Sequence, residues 1–272
     1  MSYVNDAAQA VSKVREVSPL VHCITNYVTV NDCANAVLAI GASPIMADDI
    51  DEVEDITSIA SALVINIGTL NRRTIDSAIW AGKKANELNI PVVFDPVGAG
   101  ASGLRNETTK KILEEIKVSV IRGNLSELSF IAGLSASTKG VDSSDADLDK
   151  DPVVVASTVA NLYGCTAALT GKDDVITDGN RCVKLSNGTA MLSSVTGSGC
   201  LTSALLGAYI GAVGDGFTAS CGAILTTSIA GEQAYERAVS LGTGSFHMAL
   251  IDYISLMNEE TMLKYAKAEV IK

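Results

Sequence analysis

The chain has 272 residues, 47% of them hydrophobic and 19% charged, with a formal net charge of −11. That is enough apolar material for one large buried core. The acidic balance argues against nucleic acid or an anionic membrane as the main partner, because both select a basic face.

Residues 1–17 carry apolar and charged side chains at helical spacing, which predicts an amphipathic helix and not a signal peptide. Short apolar runs then alternate with longer helical patterns. Strands are predicted at 20–24, 44–47, 63–67, 92–94, 118–121 and 166–169, and helices at 32–40, 49–62, 74–88, 108–116 and 153–163. Strands that are apolar throughout are covered on both faces, so the pattern reads as α/β with a mainly parallel central sheet. The Asp- and Ser-rich stretch 135–151 reads as a surface loop, because the alternation resumes behind it. We therefore expect one domain over 1–272. After Thr170 the pattern changes. Residues 175–177 and 182–185, joined by Asp178-Gly179-Asn180, read as a hairpin. Residues 199–268 are mostly helical. The apolar stretch 201–230 is broken by Asp215 and by glycines, so it reads as two buried helices and not as a membrane span.

The six cysteines form no CxxC pair, and His22 and His247 are the only histidines, which disfavours a zinc site. Reduced core cysteines point to a cytoplasmic enzyme.

In open parallel sheets, ligands bind beyond the carboxyl ends of the strands. The residues at those ends are Thr25 and Asn26; Met46, Asp48 and Asp49; Asn66 and Thr69; Asp95; Arg122 and Asn124; Thr170 and Lys172. One polar ending means little, but the accumulation predicts a single cleft. Asp95, opening Asp95-Pro96-Val97-Gly98-Ala99-Gly100, suits either a hydrated Mg²⁺ or an Asx turn before proline. Arg122 can pair with phosphate. Asn124 and Glu127 have the spacing of a capping box, which leaves Glu127 open to a second role. Thr170 offers a hydroxyl to a nucleotide phosphate, or simply turns the chain. Met46 suits the core or the flat face of a sulfur heterocycle.

Thr196-Gly197-Ser198-Gly199-Cys200 runs straight into the apolar helix. Glycine admits a ligand close to the backbone, and a helix N-terminus attracts an anion. The same field lowers the pKa of Cys200, while a neighbouring phosphate would raise it. The alternative is a glycine-rich packing turn with a small cysteine. No GxxxxGK[ST], no GxSxG and no GxGxxG after the first strand occur, which disfavours P-loop, α/β-hydrolase and Rossmann chemistry.

Taken together, Pro19-Leu20-Val21-His22-Cys23-Ile24-Thr25-Asn26, Gly41-Ala42-Ser43-Pro44-Ile45-Met46, Asn66-Ile67-Gly68-Thr69, the Asp95–Gly100 segment, Ile121-Arg122-Gly123-Asn124 and Val195 to Cys200 resemble the hydroxyethylthiazole kinases. The resemblance covers nearly the whole chain. It implies a ribokinase-like three-layer α/β/α fold and transfer of the ATP γ-phosphate to the alcohol of hydroxyethylthiazole, in thiamine biosynthesis. It further implies Met46 and Gly197 on the thiazole, Arg122 and Thr170 on ATP, Asp95 and Glu127 on Mg²⁺, and Cys200 as the catalytic residue where sister kinases carry aspartate. It also implies a homotrimer with the thiazole near the subunit boundary. Thr243 departs from the proline common in such chains, in a loop without a proposed catalytic group. Three other readings compete: a pyrimidine or pyridoxal kinase, a cysteine-nucleophile acyl transferase that would need His22 or His247 as base, and a non-catalytic binding protein.

Overall fold

The computed structural model of this chain describes residues 2–134 and 151–272. The expected surface loop at 135–151 falls, up to residue 150, outside the described residues. In the first half the elements are α1 (Ser2–Val17), β1 (Leu20–Ile24), α2 (Val30–Ile40), β2 (Ser43–Ile45), α3 (Val53–Ile59), β3 (Ala62–Asn66), α4 (Arg72–Glu87), β4 (Val92–Asp95), α5 (Gly103–Glu115), β5 (Val120–Asn124) and α6 (Leu125–Ile131). There follow α7 (Pro152–Tyr163), β6 (Thr166–Thr170), β7 (Asp174–Thr177), β8 (Cys182–Leu185), a 3-10 turn (Ala190–Ser194), α8 (Ser198–Val213), α9 (Gly216–Ala238), α10 (Thr243–Leu256), α11 (Glu259–Tyr265) and β9 (Ala268–Val270).

The strands form one sheet in the order β2-β1-β3-β4-β5-β6-β7-β8-β9. Pairing is parallel from β2 through β6 and antiparallel from β6 to β9. Successive side chains of a strand face opposite ways. Accordingly Ala62 and Val64 of β3 join one core and Leu63 and Ile65 the other. The first core is closed by α1, α2, α8, α9 and α10, through residues such as Val11, Val37, Leu205, Ile224 and Phe246. The second is closed by α4 to α7, through Ile79, Ile112, Leu128 and Val159. This two-sided burial explains the uniformly apolar strands. Among the described residues, no helix is long and apolar enough to cross a membrane.

The differences from the sequence expectation have local causes. The helix expected at 49–62 shrinks to α3, because Asp49 turns the chain by accepting a hydrogen bond from the Asp51 N–H (3.1 Å) and β3 already begins at Ala62. Helix α5 starts well before residue 108, capped by Ser102, whose side chain accepts from the Arg105 N–H. Strand β5 runs on to Asn124, which lies opposite Thr170 on β6. The short strand β9 has no strong pattern of its own and forms against β8, with Val270 opposite Val183.

Helix α8 lies directly on β1 and β3 because residue 207 is glycine. A Cβ there would stand 2.4 Å from Val64 Cγ2 and 2.7 Å from Val21 Cγ1. Gly207→Ala is expected to lower stability by about 1–3 kcal/mol, the usual range for overpacking a core. Urea unfolding of the two proteins checks this; an unchanged or higher midpoint would show that α8 does not need the close approach.

Candidate active site

Strand β4 ends on Asp95, and the apolar run that precedes it carries the carboxylate into full burial. Its Oδ2 accepts hydrogen bonds from Asn66 Nδ2 (2.8 Å) and Ser203 Oγ (2.8 Å), with Arg122 Nη1 3.7 Å away. Its Oδ1 is buried without a hydrogen-bond partner. Burial pushes the carboxyl above the ordinary range, against the pull of Arg122, Ser203 and Asn66. Asn66 comes from β3, directly opposite Asp95 in the register. Ser203 was not foreseen; the signal for it was its place three residues after Cys200, on the same face of α8.

Helix α8 starts at Ser198, with Gly197 before it at φ +85°. A Cβ on Gly197 would meet Thr29 Cγ2 at 2.4 Å, so both conformation and space call for glycine. No side chain caps this helix end, so the first-turn N–H groups keep their partial positive charge. Cys200 sits in that turn and its Sγ accepts a hydrogen bond from Asn26 Nδ2 (3.2 Å). The helix field and a neighbouring phosphate pull its pKa in opposite directions, which leaves the net direction open from sequence. In the structure burial, followed by the nearby Asp95 charge, pushes the thiol up.

Arg122 ties these parts together. Its Nη2 donates to Thr170 Oγ1 (2.7 Å), and its guanidinium rests on Gly199, where a Cβ would meet Nη1 at 2.7 Å. Its Nε is buried without a partner. Asn124 and Glu127 form the expected capping box: Asn124 Oδ1 accepts from the Glu127 N–H (2.9 Å), and Glu127 Oε2 accepts from the Asn124 N–H (2.8 Å). Glu127 Oε1 accepts from the Gly98 N–H (2.8 Å). Burial and then the Asp95 charge push the Glu127 carboxyl up to about 7.

Met46 lies apart from this cluster. It is half-buried and lines a cavity of about 240 Å³ with Cys23, Thr25, Tyr27, Val30 and Thr69. The end of β1 joins the two regions, since Thr25 lines the cavity and the next residue, Asn26, touches Cys200. The histidines are engaged elsewhere. His22 bonds Thr57 Oγ1 (2.9 Å) and the Ala47 carbonyl (2.8 Å), and His247 pairs with Asp32 (3.0 Å). Neither serves Cys200 as a base, so the acyl-transferase reading loses its second group.

The orphaned Asp95 Oδ1 fits a small divalent cation. Glu127 retains further lone pairs beside its two backbone hydrogen bonds. Among the described residues, no group of three or more His, Cys, Asp or Glu gathers. One or two protein carboxylates with phosphate and water completing the shell is the arrangement that Mg²⁺ typically adopts.

Comparison with known proteins bears on the same features. The model of the hydroxyethylthiazole kinase family matches residues 11–260. A hydroxyethylthiazole kinase of Ruminiclostridium cellulolyticum is 60% identical over 270 residues, covering 99% of each chain. The solved structure of hydroxyethylthiazole kinase from Pyrococcus horikoshii OT3 superposes with a TM-score of 0.90 at 38% identity, covering 100% of both chains. An ADP complex of Bacillus subtilis pyridoxal kinase shares the fold at 18% identity and a TM-score of 0.59, covering 78% of this chain and 90% of its own. The architecture is the ribokinase-like three-layer α/β/α arrangement with its mainly parallel sheet. With identity of this extent and a fold shared from end to end, this chain belongs to the hydroxyethylthiazole kinase family.

Proposed function

We propose that the chain transfers the γ-phosphoryl group of ATP to the primary alcohol of 4-methyl-5-(2-hydroxyethyl)thiazole, giving the thiazole phosphate used in thiamine diphosphate biosynthesis. One observation carries the reading. Cys200 and the uncapped end of α8 meet the Asp95–Arg122 pair, next to the cavity that holds Met46. The names of the relatives from R. cellulolyticum and P. horikoshii support the same substrate.

Each residue then has a physical task. Met46 presents a soft, polarisable surface to the sulfur heterocycle, and Gly197 lets the ring approach the backbone. The free N–H groups of α8 receive the phosphoryl oxygens. Arg122 and Thr170, already bonded to each other, hold the triphosphate. Asp95 and Glu127 hold Mg²⁺, which when bound offsets charge on the phosphate oxygens. The raised thiol favours Cys200 as the group that orients the alcohol. In a loose transition state the hydroxyl proton leaves late, so a strong base is not required.

The nine-stranded sheet supports a single kinase domain over 1–272. Tyr27 and Val28, 77% and 55% exposed near the cavity, support burial of that rim against another copy, in keeping with a homotrimer. Six free cysteines suit a reducing, cytoplasmic setting.

A coupled ADP-release assay with ATP and Mg²⁺ tests the reaction. Turnover is expected with the thiazole alcohol and not with hydroxymethylpyrimidine or pyridoxal; turnover on either of those alone would overturn the substrate assignment. In the same assay Cys200→Ala is expected to lower kcat, by less than the roughly 10²–10⁴-fold typical of a lost general base. A Cys200→Ala enzyme with full kcat would remove the thiol from the reaction.

A further inference from the structure

Arg105 stands at the third position of α5, where a cation opposes the helix dipole. Its guanidinium donates to three backbone carbonyls, and to no carboxylate among the described residues. Nη1 donates to Ile67 O (2.7 Å) and to Val97 O, and Nη2 to Gly68 O (2.7 Å). We propose that Arg105 is a positioning residue for the phosphoryl-transfer site, acting through two peptide units that hold Asn66 and Glu127.

In a trans peptide the C=O and N–H point in opposite directions. The carbonyl of Ile67 belongs to the same peptide as the N–H of Gly68, and that N–H donates to Asn66 Oδ1 (2.9 Å). The carbonyl of Val97 belongs to the same peptide as the N–H of Gly98, and that N–H donates to Glu127 Oε1 (2.8 Å). A single guanidinium therefore grips both peptides from behind while their N–H groups face the site. Charge on a carbonyl polarises the peptide and strengthens the bond its N–H makes.

The consequence for Asp95 runs through the Asn66 amide. Asn66 Oδ1 accepts from Gly68 N–H and from Asn26 Nδ2 (3.0 Å), which fixes its amide so that Nδ2 faces Asp95 Oδ2 (2.8 Å). Loosening the Ile67–Gly68 peptide removes one of the two bonds that set this orientation. The neighbouring Asn106 holds the loop after Gly98, since its Oδ1 accepts from the Gly100 N–H (2.7 Å). Gly98, at φ +72°, admits the arginine stem; a Cβ there would meet Arg105 Cδ at 3.1 Å.

The inference rests on the kinase reading for its activity measurement and not for its binding measurement. Arg105→Met keeps the length of the stem and removes every donor. Arg105→Lys keeps a charge but cannot span three carbonyls. Each is compared with the wild type in Mn²⁺ binding with ADP, followed by electron paramagnetic resonance, and in kcat and KM for the thiazole alcohol. For Arg105→Met, Mn²⁺ affinity and kcat are each expected to fall about 10–100-fold, the range seen when groups supporting a site's ligands are removed. KM for the thiazole stays near wild type, and Arg105→Lys falls between. Wild-type cation affinity and kcat in both variants would overturn the proposal. So would a parallel loss of thiazole affinity and unfolding midpoint, which is what a merely structural arginine gives. A wild-type enzyme that binds Mn²⁺ with ADP but leaves the thiazole untouched would refute the kinase reading, while the binding comparison still decides the role of Arg105.

Discussion

The site depends on the burial of one carboxylate. Asp95 is removed from water at the end of β4, where an uncompensated charge would cost several kcal/mol. Asn66 from β3, Arg122 from β5 and Ser203 from α8 supply the compensation. Because these groups come from separate elements, the site forms only when the sheet register and the seat of α8 are both correct. Burial first, and then this carboxylate, raise the pKa values of Cys200 and Glu127. A cation or a transferring phosphoryl group would enter a largely buried region that Asp95 and Arg122 share.

Helix α8 is the second constraint. Small residues let it lie low on the sheet and bring its uncapped N-terminus to the strand ends. Gly207 clears Val64 and Val21, while Gly199 clears the Arg122 guanidinium. The seat of α8 on the sheet and the approach of Arg122 to its N-terminus are thus set along the same helix. Cys200 and Ser203, one turn apart, then meet Asn26 just after β1 and Asp95 at the end of β4.

Much of this was legible in the residues. Apolar strands alternating with amphipathic helices gave the parallel sheet, and polar groups at the strand ends gave Asp95, Arg122 and Thr170. The capping box at Asn124 and Glu127 followed from spacing alone. The remainder depends on partners that no local pattern reveals. Arg105 binds backbone carbonyls, which carry no residue signature. Strand β9 forms only because β8 offers an edge. The thiol pKa could not be judged from the helix field, because the larger influences are burial and a carboxylate more than one hundred positions away in the chain.

The most direct measurement is the activity and stability of Asp95→Asn. The amide can present its oxygen to Asn66 and Ser203 in place of Oδ2, so both hydrogen bonds survive the change. It removes the buried charge without changing shape. The amide NH2 group then takes the position of the buried, partnerless Oδ1, and Arg122 loses its carboxylate. The account therefore predicts an enzyme that folds with a lowered midpoint and loses turnover by about 10²-fold or more, the scale of a lost electrostatic group in an active site. An Asp95→Asn enzyme with near wild-type kcat would contradict the central place given to this carboxylate.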